Sequence, residues 1–192
     1  RAQLPDLPMA TDKDRKYLLP AEKVLGPSRN SENPELYAVF PFRLFVFGSR
    51  DSAVGRETFE RRRIKRSVGW SQDAVQAAYL GLTDTAAGYV VQNFTTPHKG
   101  SRFPAFWGPN FDWIPDQDHG NVAMLALQRM LLQAEGKFIY LLPAWPKNWN
   151  VEFKLHAPKG TTVEGVCRSG KLETLKVTPE KITVVRQTYD EV

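Results

Sequence analysis

The sequence predicts an α+β protein, with a helical part in residues 1–136 and a small antiparallel β part in residues 137–192. Two observations carry this prediction. Between residues 52 and 134, apolar side chains recur at the three- and four-residue spacing of helices, in segments separated by glycines. After Gly136 the period changes to two, so that Val151, Phe153 and Leu155 alternate with polar residues, as in a half-buried strand.

Four main helices are expected in the first part, at residues 52–67, 72–80, 85–94 and 121–134. Before them, residues 12–19 predict a short helix, and residues 36–47 predict a short helix or turn and then a buried segment. The helix at 121–134 is apolar nearly all round, which is typical of a helix enclosed by protein. Because these helices cannot cover each other, we expect a C-terminal fragment of a larger protein, or a chain that pairs with another.

Short strands follow at even spacing. They are predicted at residues 151–156, 161–167, 171–177 and 181–188, with turns between them that contain glycine or proline. This spacing predicts an antiparallel meander. Cys167, the single cysteine, falls in one of these strands without a neighbouring histidine, so we expect a buried and unreactive thiol.

Charge and hydropathy exclude some classes of protein. The net charge is +5, and much of it comes from a basic run within residues 56–66. Such a run is found in nucleic-acid sites, but Glu57 and Glu60 at helical spacing favour the solvated face of a helix instead. No apolar run approaches the roughly 20 residues that cross a bilayer. We therefore expect neither a nucleic-acid partner nor a membrane span, and the first residues do not resemble a signal peptide.

The long loop at residues 95–120 is the first candidate for a functional site. Flat rings beside carboxylates and amides suit a sugar, which has apolar faces and a rim of hydroxyls. The alternative is a structural loop whose rings belong to the core and whose acids cap turns and a helix. The residues concerned are Trp107, Asn110, Asp112, Trp113, Asp116, Asp118 and His119.

Other chemistries find less support. The stretch from Asp116 to Gly120 resembles the start of a calcium loop, but the twelfth position holds Leu127 in place of the required glutamate. A calcium site here would therefore need a coordination geometry different from that of such a loop. The histidines lack metal-ligand spacing, and neither a phosphate loop nor a nucleophile elbow is found, so no metal or cofactor is expected. Paired carboxylates for glycoside hydrolysis remain, from the loop and from Glu32 and Glu35.

Three motifs carry a family resemblance. A helix ending Met130-Leu131-Leu132-Gln133 is followed by Leu141-Leu142-Pro143-Ala144-Trp145-Pro146, and Gly69-Trp70-Ser71 lies upstream. In these residues the chain resembles the C-terminal portion of the family 95 glycoside hydrolases, the inverting α-L-fucosidases and α-L-galactosidases. The resemblance covers roughly residues 36–167 and implies the last helices of an (α/α)6 barrel, a six-hairpin barrel, followed by a β domain.

The resemblance also implies roles for individual residues. The family's general base falls on Asp118, with Asp116 as the alternative if the loop is shifted, and a substrate-contacting element falls near Glu32, Asn33 and Glu35. Acidic residues replace histidines there, which implies a different sugar or a distant subfamily. The family's general acid lies further upstream. We expect Trp107 or Trp113 to stack on the sugar, Asn110 and Asp112 to hold hydroxyls with His119 nearby, and the parent protein to be secreted or periplasmic.

Two other classes stay open. One is a carbohydrate-binding fragment without activity, which predicts sugar binding without turnover. The other is a structural domain that docks to a partner through its uncovered helical face, which predicts self-association and only a stability effect of Asp118→Asn.

Overall fold

The structure, a computed structural model, describes residues 5–26, 31–67, 70–96, 118–179 and 183–186. Helices occupy the first two thirds of the described chain, and most of the strands follow, which confirms the predicted α+β class. A 3-10 helix at Pro34–Ala38 precedes α1 at Ser52–Arg61, α2 at Asp73–Tyr79, α3 at Thr83–Thr95 and α4 at Asp118–Leu131.

The strands of the described chain form three small sheets. A hairpin of β1 (Met9–Asp12) and β2 (Arg15–Leu18) precedes the helices. A second sheet has the order β3 (Leu132–Glu135), β4 (Phe138–Leu141) and β8 (Thr183–Arg186), and a third has the order β5 (Val151–Ala157), β6 (Thr161–Arg168) and β7 (Lys171–Thr178). The third sheet is the predicted antiparallel meander.

Helix α2 lies at the centre of the helical part. All seven of its residues are buried, and it packs against both α3 and α4. Three of the seven are alanines, which let the neighbouring helices approach closely. The buried amide of Gln133 donates to the carbonyl of Ala78 at the end of α2 (2.7 Å), so the helices are tied to the second sheet at this point.

The Leu-Leu-Pro-Ala segment ends helix α4. The backbone N–H of Leu142 donates to the carbonyl of Leu131 (2.8 Å), and that of Ala144 donates to the carbonyl of Met130 (3.2 Å). The last carbonyls of a helix lack partners within the helix, so this loop satisfies two of them. The helix therefore ends at Leu131, and the prediction that it runs to Ala134 was wrong.

The N-terminal hairpin corrects the helix predicted within residues 12–19. Lys13 and Asp14 both have positive φ, at 48° and 66°, and they form a tight two-residue turn between β1 and β2. Such turns usually contain glycine, which this one lacks, so the turn was not recognisable from its residues. The hairpin packs against α1, where the backbone N–H of Leu18 donates to Thr58 Oγ1 (2.9 Å).

The last strand does not extend the meander as predicted. β8 pairs with β4 in parallel, with Thr183 opposite Phe138 and Arg186 opposite Leu141. A parallel partner far away in the sequence leaves no mark on the local pattern of β8.

Helix α4 is also less enclosed than its composition indicates. Ala123, Ala126 and Met130 are buried, whereas Met124 is 48% exposed. Its buried face is narrow because it packs mainly against α2 and α3. Within the described residues, α4 is therefore not enclosed on all sides.

Candidate functional site

Three segments that are far apart in the sequence converge on the side chain of Trp70. They are the 3-10 helix with the residues on either side of it, the start of α2 and the start of α4. Their side chains line two cavities that share Trp70 and Gln72, and we treat the two together as one cleft. We call these the polar end and the apolar end of the cleft.

The apolar end is an open space of about 360 Å³. Phe40, Val75, Val122 and Leu125 form its walls together with Trp70. A volume of this size lies within the range of small-molecule sites, which are mostly apolar with a few polar groups. The apolar end could therefore hold a single ring.

Asp118, the predicted general base, lines the apolar end as the first residue of α4, and it is exposed. A carboxylate at this position is also stabilising without any ligand, because the start of a helix carries partial positive charge. Asn121 lines the same end one turn further along the helix. The placement thus brings one carboxylate and one amide beside apolar walls.

The polar end is a much smaller cavity of about 20 Å³, with room for one water-sized group. Glu32, Tyr37, Asp73 and Gln76 line it, along with Asn33. The hydroxyl of Tyr37 donates a hydrogen bond to the carboxylate of Glu32. Glu32, one of the predicted substrate-contacting residues, therefore lies in the cleft with one carboxylate oxygen already paired.

Asn33 supports the wall of the cleft. Its Nδ2 donates to the carbonyl of Ile64 (2.8 Å), and its Oδ1 accepts from the backbone N–H of Ile64 (2.9 Å). Both ends of this buried amide are therefore used within the protein. Asn33, which was predicted to contact substrate, fixes the loop before the 3-10 helix to the chain after α1.

Glu35 lies in the 3-10 helix, and it is not among the residues that line either end of the cleft. Its side chain is half-buried. Burial raises the pKa of this carboxyl, although a backbone hydrogen bond and the positive charge of Arg63 partly oppose the increase. Glu35, which was predicted to contact substrate, thus lies outside the lining of the cleft.

A buried ion pair lies beneath the polar end. Arg62 Nε donates to Asp73 Oδ1 (2.8 Å), and the two side chains are 4% and 5% exposed. The same guanidinium donates to the carbonyl of Phe59 and to the hydroxyl of Tyr89 (2.8 Å). Burial raises the pKa of Asp73, while the contacts with Arg62 lower it in part. The pair joins the end of α1 to the start of α2.

The basic run has a different role from the one predicted. It was interpreted as the solvated face of a helix, but α1 ends at Arg61 and Arg62 is buried. Arg61 pairs with Asp12 and Glu57, and Arg66 lies 6.0 Å from the ring of Trp70. Part of this run therefore supports the cleft, because a buried arginine is tolerated where a carboxylate and carbonyls accept its hydrogen bonds.

Most of the predicted loop residues fall outside the described part of the chain. His119 is the second residue of α4, and only its backbone is described. The residues outside the described ranges are Trp107, Asn110, Asp112, Trp113 and Asp116. Of the predicted site residues, the structure brings together Asp118, Glu32 and Asn33 around one cleft.

Sequence reasoning missed most of the residues that line the cleft, among them Trp70, Gln72, Asp73 and Gln76. Trp70 was noted only within the Gly69-Trp70-Ser71 motif and at the boundary of a helix, and the others were assigned to the start of a helix. A signal was available, since Gln72 and Gln76 are polar residues one turn apart on a helix that is apolar except for them and Asp73.

Comparisons with protein-family models and with curated proteins find no match for this chain. None of the helices in the described ranges has the length and apolar character needed to cross a bilayer.

Proposed function

We propose that the cleft binds a sugar ring and that the chain forms the C-terminal part of a glycoside hydrolase. The observation that carries the proposal is the convergence on Trp70. Asp118 and Glu32, both selected from the sequence, line opposite ends of one cleft around the same indole ring. Apolar walls with a few convergent polar groups match a pyranose, which has apolar faces and hydroxyls at its rim.

In this proposal, Asp118 is the general base of an inverting reaction. Its carboxylate takes a proton from a water molecule, and the oxygen of that water attacks the anomeric carbon. A separate acid protonates the leaving oxygen as the glycosidic bond breaks, and the two carboxyls lie about 6.5–9.5 Å apart. We assign that acid to a part of the protein outside the described residues, and Asp116 is the alternative base.

We further propose that α1–α4 are the last helices of an (α/α)6 barrel. This is supported by the packing of α2 against α3 and α4, and of α3 against α4. The remainder of a longer chain, or a second copy, would cover the side of α4 where Met124 is exposed. For such an enzyme we propose a secreted or periplasmic location.

Binding can be tested directly with the purified chain. We would record saturation-transfer NMR spectra against methyl glycosides of glucose, galactose, mannose, xylose and fucose, and electrophoretic retardation in gels that contain plant or algal polysaccharides. At least one sugar should bind, and Trp70→Ala should abolish its binding. Phe138→Ala removes an exposed ring that lies outside the cleft, so it is the matched control. Absence of binding to every probe would refute a sugar site.

A second candidate function is carbohydrate binding without catalysis. Among the described residues, Asp118 is the only carboxylate that lines the apolar end, whereas Glu32 and Asp73 at the polar end are already paired with Tyr37 and Arg62. The two functions are distinguished by measuring whether reducing sugar is released from a polysaccharide that the chain binds. A hydrolase containing this chain should lose turnover on Asp118→Asn and keep its affinity, whereas a binding module shows no turnover at all.

A further inference from the structure

Two side chains in the cleft have polar atoms without partners. The Oε1 atoms of Gln72 and Gln76 are buried, and neither has a hydrogen-bond partner in the described structure. Gln76 is only 4% exposed. Buried polar side-chain atoms in native proteins are nearly always paired, so each exception calls for a reason.

The two glutamines share one place in the fold. They lie four residues apart at the start of α2, so their side chains project from the same face of the helix. Both line the polar end of the cleft, and Gln72 also lines the apolar end. Gln72 therefore lies where the two ends meet, and Gln76 lies at the polar end.

Several polar groups at the polar end are already used within the protein. The hydroxyl of Tyr37 is used by Glu32, the amide of Asn33 is used by Ile64, and the carboxylate of Asp73 is used by Arg62. The buried amide oxygens of Gln72 and Gln76 remain without a donor, and an amide oxygen accepts hydrogen bonds but does not donate them. The cavity has room for one water-sized group, so its chemistry fits a single hydroxyl.

We propose that Gln72 and Gln76 recognise one hydroxyl group of a sugar whose ring lies in the apolar end against Trp70. This inference rests on the proposed function, and it adds two specificity-determining residues to that site. The hydroxyl enters the polar end, donates its one hydrogen to Oε1 of Gln76 and accepts a hydrogen bond from the amide nitrogen of Gln72. A sugar without that hydroxyl, or with the opposite configuration at that carbon, leaves the Gln76 oxygen unpaired and binds more weakly.

The test combines a protein change with a ligand change. Gln76→Met keeps the length of the side chain and removes the carbonyl, and Gln128→Met makes the same change at an exposed position of α4. The ligands are the tightest-binding methyl glycoside of the panel above and its monodeoxy derivatives, with affinities from titration calorimetry. We expect Gln76→Met to weaken the parent glycoside about tenfold, which is the loss of one buried hydrogen bond.

One monodeoxy derivative should bind the wild type as weakly as the parent glycoside binds Gln76→Met, and should lose nothing further on that substitution. Gln128→Met should leave all affinities unchanged. In the absence of sugar, Gln76→Met should melt at or above the wild-type temperature, because it removes a polar atom without a partner. Gln72→Met, at a half-buried position, should give the same ligand pattern and is used if Gln76→Met does not fold.

The outcomes separate the two proposals. If a glycoside binds but neither glutamine variant changes its affinity, the recognition role is wrong and the sugar site stands. The recognition role is also wrong if every deoxy derivative loses affinity equally on substitution, since no single hydroxyl is then read. If no glycoside binds the wild type, the proposed function and this inference fail together.

Discussion

Gly55 is the residue at which the packing of the helical part can be tested most sharply. It lies in α1 and is buried against the loop that follows the 3-10 helix. A Cβ atom at this position would lie 2.8 Å from Cδ2 of Leu80 and 3.1 Å from Cβ of Phe45, and closer still to the carbonyl oxygen of Phe45. Real Cβ atoms essentially never approach other atoms so closely, so Gly55→Ala must displace backbone.

The expected change in stability on Gly55→Ala is the difference of two effects. Alanine is a better helix former than glycine, by about 1 kcal/mol in a helix interior. Overpacking a tight site costs about 1–3 kcal/mol, and we take the upper part of this range because the obstacle is a backbone carbonyl. The net loss of stability is then about 1–2 kcal/mol, or a decrease in Tm of roughly 2–8 °C for a chain of this size.

Gly88 in α3 provides the matched control. It is an exposed helical glycine, and a Cβ added there would meet nothing within 4 Å. Gly88→Ala should therefore gain about 0.5–1 kcal/mol from the helix term alone. Thermal and urea unfolding followed by circular dichroism would measure both variants. If Gly55→Ala and Gly88→Ala shift the stability in the same direction, the close approach of α1 to Phe45 and Leu80 is refuted.

Arg62→Met should cost about 3–5 kcal/mol in urea unfolding, because Asp73 is left buried without its partner, and replacing Asp73 by leucine as well should recover much of the loss. Glu35→Gln should raise Tm at pH 7. Burial raises the folded-state pKa of Glu35, so the wild type loses stability as pH increases from about 4 through that raised pKa. The wild type and Glu35→Gln should have the same Tm below pH 4, and a difference in Tm that is constant across all pH values would contradict the raised pKa of Glu35. Gly165→Ala should lower Tm, since its Cβ would lie 2.8 Å from the ring of Phe153 on the neighbouring strand, and Phe153→Leu should relieve part of the loss.

The elements that the sequence predicted well are those whose pattern is local. Strands β5 and β6 alternate between more and less buried positions along their length, β7 does so on either side of Glu173 and Thr174, and the turns between them contain glycine or proline. The main helices were found for the same reason, with errors at their ends. Period and turn residues act within a few positions, and they are visible without knowledge of the rest of the fold.

Two of the errors share a physical cause, which is a partner far away in the sequence. Leu132 continues the apolar pattern of α4, yet the helix ends before it because Leu142 and Ala144 supply donors to its last carbonyls. β8 pairs directly with β4, although strands β5 to β7 lie between the two in the sequence. In both cases a hydrogen bond made by tertiary structure determines where an element ends or pairs, and local propensity carries no information about it.

The cleft follows the same rule. Asp118 and Glu32 were selected as carboxylates that match the family resemblance, whereas Asn33 and Arg62, whose bonds to Ile64 and Asp73 join separate segments of the chain beside the polar end, were not recognised as its support. A basic run is expected to be solvated, and only tertiary structure can bury one of its arginines against a carboxylate. The stability of this support and the shape of the cleft are therefore coupled. A variant such as Arg62→Met should weaken sugar binding through the displacement of α2, even though Arg62 itself lies beneath the cleft.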